Sequence, residues 1–206
     1  MRPVLLFDVM DTLVYNPFNA EIPDFFGLTV GQLLAEKQPD AWPKFEMGLI
    51  DQAEYMRTYF SDRRTFDHAA FLEVVKQAYR WIDGTESLLQ ELRGRGFEIH
   101  AFSNYPIWYQ TIEAKLKLSR YLNWTFVSCR TGIRKPDVRA YQAATEQLNC
   151  APENCLFIDD NASNCDAAES IGMRAILFSG SAKLRDELTV GGLIWGDGVK
   201  RGGTFL

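Results

Sequence analysis

Short apolar runs alternate with amphipathic stretches along most of the chain. Five runs of four to six residues predict buried strands, because each is apolar throughout or nearly so and is bounded by polar or turn residues. The predicted strands are VLLF (4–7), FEIHAF (97–102), WTFVSC (124–129), CLFI (155–158) and RAILF (174–178). Alternating strands and helices are typical of an α/β fold, here a Rossmann-like parallel sheet with helices on both faces.

A helical pattern precedes each of the last four predicted strands. The first begins after Asp83-Gly84, where TESLLQELRGRG places Leu88, Leu89 and Leu92 on one face. The others are IWYQTIEAKLKL, DVRAYQAATEQL and ASNCDAAESIG.

Residues 15–82 break this alternation. They contain four helical patterns and no convincing strand, so they predict an all-helical subdomain inserted after the first strand. The catalytic core would then comprise residues 1–14 and 83–206. The glycine-rich tail, 195–206, predicts irregular structure.

Composition and charge argue against some binding partners and favour certain cellular compartments. The 206 residues carry a net charge of −5, which argues against nucleic-acid binding, since that requires clustered Lys and Arg. No apolar run could span a membrane, and the N-terminus lacks a signal-peptide pattern. Four cysteines without a C-x-x-C pair favour a reducing compartment. We expect an intracellular, soluble protein, cytoplasmic or plastidic if a transit peptide was removed; the oligomeric state stays open.

Polar residues that could carry chemistry follow four of the predicted strands. The carboxyl ends of parallel strands form the ligand-binding edge of such a sheet, so these residues should converge. In chain order they are Asp8, Asp11 and Thr12; Ser103 and Asn104; Lys135; and Asp159 with Asp160.

This set suits phosphoryl transfer. A carboxylate can attack phosphorus and form an aspartyl-phosphate. Asp8 and the Asp159/Asp160 pair offer the oxygen ligands that Mg²⁺ requires, and packed carboxylates repel one another without a cation. Lys135 and Ser103 could neutralise and orient phosphoryl oxygens.

Four motifs in order make the chain resemble the haloacid dehalogenase superfamily: FDVMDT, FSN, RKPD and FIDDNASN. The resemblance implies Asp8 as nucleophile, with Lys135 beside it. It implies Mg²⁺ held by Asp8, the backbone carbonyl of Met10, and Asp160 with assistance from Asp159.

The same resemblance implies phosphate binding by Ser103, Asn104 and Lys135. Thr12, in the turn after Asp8, is a further candidate for phosphate binding. It also implies that residues 15–82 form the family's helical cap, which closes over a small phosphorylated metabolite.

Met10 departs from the family pattern, because phosphatases of this superfamily usually have an acid/base aspartate there. Methionine cannot transfer a proton. The chain could be a 2-haloacid dehalogenase-type hydrolase, which needs no such acid, or a phosphatase that obtains its proton elsewhere, with Asp11 as a candidate. A catalytically impaired binding module is a third alternative. The paired acids Asp159 and Asp160 favour the phosphatase, since family dehalogenases work without metal.

A closer resemblance extends through cap and core. The stretches FDVMDT, FFG, GLID, FEIHAFSNYPIWY, KLKLSRYL and RKPD resemble those of chloroplast-type flavin mononucleotide (FMN) hydrolases of plants. This implies hydrolysis of FMN to riboflavin. Tyr105 and Trp108 follow the second motif and could stack on the flat isoalloxazine ring.

Overall fold

A sheet of parallel strands lies at the centre of the molecule. The computed structural model describes residues 2–193. The strands are β1 (Val4–Phe7), β2 (Ile99–Ser103), β3 (Asn123–Val127), β4 (Cys155–Asp159) and β5 (Arg174–Leu177). Their order across the sheet is β3-β2-β1-β4-β5. The predicted α/β class with a Rossmann-like sheet is confirmed.

Helices occupy the connections between strands and the long excursion after β1. The helices of the excursion are α1 (Glu21–Phe26), α2 (Val30–Glu36), α3 (Ala41–Glu46), α4 (Gln52–Arg57) and α5 (His68–Ala78). Those around the sheet are α6 (Thr85–Gly94), α7 (Tyr109–Leu116), α8 (Ser128–Thr131), α9 (Val138–Leu148), α10 (Ala162–Ser170) and α11 (Ser181–Val190). Short 3₁₀ turns cover Pro17–Asn19, Leu118–Arg120 and Pro152–Asn154.

Both faces of the sheet are covered, because alternate residues of the central strands point to opposite sides. Leu5 and Phe7 of β1 pack in one buried cluster, with α6, α7 and α11. Leu6 packs in the other cluster, which includes Tyr141 of α9 and Ala168 of α10. The near-continuous apolar strands are thus those of a sheet buried on both sides.

The third strand is shorter than predicted. WTFVSC was expected to be extended to Cys129, but β3 ends at Val127 and Ser128 begins the helical turn α8. The Ser128 hydroxyl donates to the Glu46 carbonyl and accepts from the N–H of Tyr105 at 2.9 Å. These contacts with the helical excursion and with the loop after β2 take the chain out of the sheet.

Short helices form the excursion between residues 15 and 82, and side chains cap three of them. Thr29 and Gln32 form a reciprocal capping box at α2. Asp51 and Asp67 accept from backbone N–H groups in the first turns of α4 and α5. Capping satisfies otherwise unpaired N–H groups, which matters most in helices of only six or seven residues.

The two chain segments that connect this excursion to the sheet lie side by side, and we call them the neck. Val14 and Trp81 form an antiparallel bridge. The Tyr15 N–H donates to the Arg80 carbonyl at 2.9 Å, and the Ile82 N–H donates to the Leu13 carbonyl at 3.0 Å. The neck lies close to the predicted subdomain boundaries at residues 14/15 and 82/83; the boundaries themselves stay a prediction.

One hydrophobic cluster continues from the sheet into the excursion. Phe45 and Tyr55 stack with ring centroids 4.6 Å apart, and both contact the Trp108 ring from the loop after β2. At Gly48, with φ of +70°, a Cβ atom would lie 2.5 Å from the Cys129 carbonyl oxygen. The excursion therefore packs tightly on the core.

Within residues 2–193, no helix combines the length and apolar character needed to cross a bilayer. The predicted irregular tail, 195–206, lies outside the described residues.

Candidate active site at the carboxyl edge of the sheet

Two adjacent central strands bring the first and fourth sequence motifs together. The Asp8 N–H, directly after β1, donates to the Ile158 carbonyl of β4 at 2.8 Å. Asp159 is the last residue of β4 and Asp160 follows it. Since backbone pairing fixes the ends of both strands, these carboxylates are held next to one another.

Lys135 joins the two motifs through its ammonium group. Its Nζ lies 2.7 Å from Asp8 Oδ1 and 2.5 Å from Asp159 Oδ2, and all three side chains are buried. The side chain of Asn104 holds the Lys135 backbone: its amide donates to the Lys135 carbonyl and its oxygen accepts from the Lys135 N–H, both at 2.8 Å. Asn104 therefore positions Lys135 over the sheet edge.

Burial and charge perturb the titration of this cluster. Burial raises the pKa of Asp8 to about 7; Lys135 opposes this shift, whereas Asp159 and Asp160 add to it. Burial alone would lower the pKa of Lys135, but the two carboxylates outweigh it and raise that pKa. The pKa of Asp160 is raised by burial, by Asp159 and by Asp11. For both Asp8 and Asp160, the dominant cause of the raised pKa is the loss of hydration on burial.

The carboxylates fit a divalent metal ion. One oxygen from each of Asp8, Asp159 and Asp160 lies within 4.8 Å of the others. Asp159 is oriented by the Asn164 amide at 3.0 and 3.1 Å and by the Asn161 N–H at 2.8 Å. When all three carboxylates are ionised, the Lys135 ammonium compensates one of the negative charges, and two remain without a cationic partner among residues 2–193. A hard cation with oxygen ligands would compensate them.

Two hydroxyls near Asp8 lack partners in the part of the chain that the structure describes. The oxygens of Thr12 and Ser103 are buried and have no hydrogen-bond partner among the described residues. Thr12 lies in the turn after Asp8, and Ser103 ends β2, next to β1. An unpaired buried hydroxyl is costly unless a ligand or water satisfies it. Both groups suit the oxygen-rich phosphate predicted from the sequence.

Asp11 contacts the start of the helical excursion. Its φ is +57°, in the left-handed region that Asp tolerates better than most residues. Its two carboxylate oxygens accept from the amides of Asn16 and Asn19, each at 2.9 Å. In this arrangement Asp11 fastens the turn after β1 to the first 3₁₀ turn of the excursion.

A cavity of about 400 Å³ lies between this edge and the helical excursion. Met10, Asn104, Tyr105 and Trp108 line it from the core. Its other side is lined mainly by apolar and aromatic residues, among them Phe18, Ile22, Leu34, Lys37, Trp42, Tyr55 and Tyr59. The mixture of an apolar wall and a few polar groups is typical of small-molecule sites.

Tyr105 and Trp108 line the cavity as rings whose polar atoms are already engaged. The Tyr105 and Tyr79 hydroxyls are 2.7 Å apart, and the Trp108 indole N–H donates to Gln52 Oε1 at 2.7 Å. They therefore offer a ligand their faces and edges rather than hydrogen bonds.

Sequence reasoning missed Lys37 and Asn164. Asn164 lies within the quoted motif FIDDNASN, at the spacing that turns its side chain back to Asp159, so that signal was available. Lys37 lies in LLAEKQPD, which looks like an ordinary solvated helix end. No local signal marks it.

The comparisons with known proteins agree with this geometry. The haloacid dehalogenase-like hydrolase family profile matches residues 3–172. The chain is 48% identical over 187 residues to flavin mononucleotide hydrolase 1, chloroplastic, of Arabidopsis thaliana, covering 91% of this chain and 76% of that protein.

Two further similarities are more distant. The chain is 29% identical over 162 residues to phosphatase MT3486 of Mycobacterium tuberculosis, covering 78% of this chain and 70% of that one. A Bacteroides thetaiotaomicron HAD family enzyme, solved with magnesium and inorganic phosphate, superposes with a TM-score of 0.72. It is 20% identical and covers 87% of this chain and 96% of its own, so it supports the fold.

Proposed function

This chain belongs to the haloacid dehalogenase-like hydrolase family, and from that premise we propose that it is a Mg²⁺-dependent phosphatase that hydrolyses FMN to riboflavin. One observation carries the proposal: an aromatic cavity of about 400 Å³ is lined by Met10, two residues after Asp8, and by Asn104, which holds the backbone of Lys135. The cluster of Asp8 and Lys135 suits a phosphoryl group, and the aromatic cavity suits a large flat leaving group. The Arabidopsis relative, named as an FMN hydrolase, supports this substrate.

Asp8 is the nucleophile in this proposal. Its carboxylate attacks phosphorus, an O–P bond forms, and the bond from phosphorus to the ribityl oxygen breaks. Water then attacks the aspartyl-phosphate and regenerates Asp8. Lys135 stabilises negative charge on the phosphoryl oxygens, and Asn104 keeps Lys135 in place. The hydroxyls of Ser103 and Thr12 donate to the phosphate, which would satisfy their unpaired oxygens.

Asp8 and Asp160, with the Met10 carbonyl and with Asp159 assisting, would hold Mg²⁺. The cation would supply charge neutralisation at the phosphoryl oxygens. The hydrogen bonds from Asn161 and Asn164 orient Asp159 and limit its freedom to bind the cation directly.

The ribityl oxygen leaves as an alkoxide and requires a proton. Met10 cannot provide it. Asp11 could do so only after giving up the amides of Asn16 and Asn19, because these donors occupy both of its carboxylate oxygens. We therefore assign the proton to Asp11 in a rearranged cap or to water in the cavity. Asp11→Asn separates these routes: a kcat unchanged within about twofold excludes Asp11.

A dehalogenase and a non-catalytic binding module are the competing functions. The surplus negative charge at Asp8, Asp159 and Asp160 favours a metal-dependent reaction over the dehalogenase. The intact pairing of Lys135 with Asp8 weighs against a degenerate site. The word chloroplastic in the Arabidopsis relative's name supports a plastid location for this chain.

The test is FMN turnover with product identification. The purified protein should release phosphate and riboflavin in equal amounts, and chelation of divalent metal should stop the reaction until Mg²⁺ is restored. Chloride release from a 2-haloacid that survives chelation would support the dehalogenase instead. If neither assay shows turnover, the binding module becomes the better hypothesis.

A further inference from the structure

We call the helical excursion of residues 15–82 the cap. Lys37 lies at the end of α2, on the cap side of the cavity, and hydrogen bonds hold its backbone in place. It forms an isolated bridge with Phe60. The adjacent Gln38 N–H donates to the Tyr59 carbonyl at 2.9 Å, and the Ser61 hydroxyl donates to the Lys37 carbonyl at 3.0 Å. The position of this side chain is therefore set by the structure of the cap and not by a flexible surface loop.

Aromatic rings from three different segments surround the ammonium. Its Nζ lies 4.7 Å from the ring centroid of Phe18, 4.9 Å from that of Tyr59 and 5.7 Å from that of Trp42. All three rings also line the cavity. Cation–π attraction holds the charge at this place.

The ammonium has no hydrogen-bond or ion-pair partner among residues 2–193. Burial lowers the pKa of Lys37 to about 8, and the nearby carboxylate of Glu46 offsets part of that shift. Lys37 is half-buried, and an ammonium that has lost part of its water without gaining a hydrogen-bond acceptor is unfavourable. Its three N–H donors are thus available to a molecule that enters the cavity.

We propose that Lys37 is a specificity residue that donates a hydrogen bond to a carbonyl oxygen on the edge of a flat heteroaromatic substrate. The inference rests on the proposed phosphatase function and names the part of the substrate that the cap recognises. The pyrimidinedione edge of a flavin carries two carbonyl oxygens, while the Trp42 and Tyr59 rings offer surfaces for its flat faces.

The same residue excludes phosphate esters of hydrocarbon chains. The cavity wall is otherwise mostly apolar and would accept a hydrocarbon tail of similar volume. Such a tail would cover the ammonium and provide no acceptor, so binding would leave a desolvated charge unpaired. A site discriminates strongly when the wrong ligand leaves a buried polar group without its partner.

The experiment compares Lys37→Met and Lys37→Arg with wild type on three phosphate esters: FMN, phenyl phosphate and a terpenyl phosphate. Lys44→Met serves as matched control, since Lys44 is an exposed cap lysine of α3. Riboflavin binding, followed by quenching of flavin fluorescence, adds a measurement independent of the chemical step. Thermal unfolding checks that each variant is folded.

We expect Lys37→Met to raise the KM for FMN and the Kd for riboflavin by about 10- to 100-fold, the range of a hydrogen bond to a charged group. The kcat for FMN and the turnover of phenyl phosphate should stay within about twofold, and the KM for the terpenyl phosphate should fall. Lys37→Arg should restore most of the FMN affinity, and Lys44→Met should behave as wild type.

Two results would overturn the inference. An equal loss on FMN and phenyl phosphate would make Lys37 a ligand of the phosphate, and unchanged FMN and riboflavin affinity in Lys37→Met would make it a structural residue. Either result leaves FMN hydrolysis by the wild-type protein standing. If wild type releases no phosphate from FMN, the proposed function fails, and riboflavin binding that does not depend on Lys37 would then overturn this inference as well.

Discussion

The charged cluster at the sheet edge and the cap-side wall of the cavity are built in contrasting ways. We call the cluster of Asp8, Lys135, Asp159 and Asp160 the floor, and the cap residues Phe18, Lys37, Trp42, Tyr55 and Tyr59 the roof. The floor is charged, and its members follow strand ends fixed by the parallel sheet. The roof is aromatic, with one ammonium, and it comes from short helices and their connections.

From this contrast we infer that the floor carries out the reaction and that the roof selects the substrate. In the proposed reaction the floor binds the phosphate group that all phosphate esters share, so changes there should affect every substrate alike. The roof faces the part in which substrates differ, so changes there should discriminate among them. A precise reaction centre requires rigid support, which strand ends provide; selection requires only shape and a few polar contacts.

The largest expected effect is that of Asp8→Asn. Loss of the nucleophile should lower kcat at least about 1,000-fold on FMN and on phenyl phosphate alike. The protein should still fold, since Asn has nearly the same size as Asp and Lys135 keeps Asp159 as a partner. Phosphate release and thermal unfolding measure the two quantities. Asp166→Asn is the control, since Asp166 is an exposed carboxylate of α10. Turnover retained by Asp8→Asn would refute the proposed nucleophile.

The next effect concerns the cation. Asp160→Asn should raise the Mg²⁺ concentration needed for half-maximal activity by about 10- to 100-fold, because a charged oxygen ligand is replaced by a neutral one. Mg²⁺ should also raise the unfolding temperature of wild type, since it offsets repulsion among the carboxylates. The variant should show a smaller rise. An identical Mg²⁺ dependence in both proteins would place the cation elsewhere.

Asn104→Ala tests whether the floor depends on its support. Loss of the two hydrogen bonds to Lys135 should destabilise the fold by about 1–3 kcal/mol and lower kcat on both FMN and phenyl phosphate. Denaturant unfolding and steady-state kinetics check this. Asn123→Ala, at the exposed start of β3, is the matched control. A loss restricted to FMN would assign Asn104 to the roof instead.

The smallest effect is a pH dependence of the roof. The pKa of Lys37 is lowered to about 8 by burial, so the ammonium is lost as pH rises through 8. Riboflavin affinity should fall up to about 10-fold between pH 8 and 9. The titratable groups around Lys37 are Glu46 and Tyr59; burial raises the pKa of Glu46 to about 7 and raises that of Tyr59. Glu46 is then charged and Tyr59 neutral in this range.

Lys37→Arg removes that titration, because a guanidinium stays protonated. Its riboflavin affinity should therefore be flat between pH 8 and 9. The same decline in both proteins would trace the pH dependence to another group.

The convergence of the floor residues could be predicted from the sequence, because one topological rule governs it. Residues that follow parallel strands meet at one edge, so the convergence of Asp8, Lys135 and Asp159 needed only the strand assignments. The rule fails where tertiary contacts compete. Ser128 was expected in a strand, yet its hydroxyl bonds to the cap and to Tyr105, and the chain turns into α8.

The roof could not be predicted in the same way. The surroundings of Lys37 depend on rings from residues 18, 42 and 59, which lie in separate segments of the cap. Helical periodicity shows that these aromatics are buried, but it does not show which of them share one cavity. Asp11 illustrates the same limit: the spacing to Asp8 gave no sign that Asn16 and Asn19 hold its carboxylate.

The neck has a consequence for protein engineering. The paired backbone at Val14 and Trp81 brings the two ends of the cap together, so a short turn could replace residues 16–79 without moving either end. Covalent geometry thus permits excision. Hydrophobic packing opposes excision, because the shortened protein would expose the faces of Tyr105 and Trp108 that the cap now covers. A core intended to stand alone would need polar replacements at these two rings, together with the new turn, to avoid self-association.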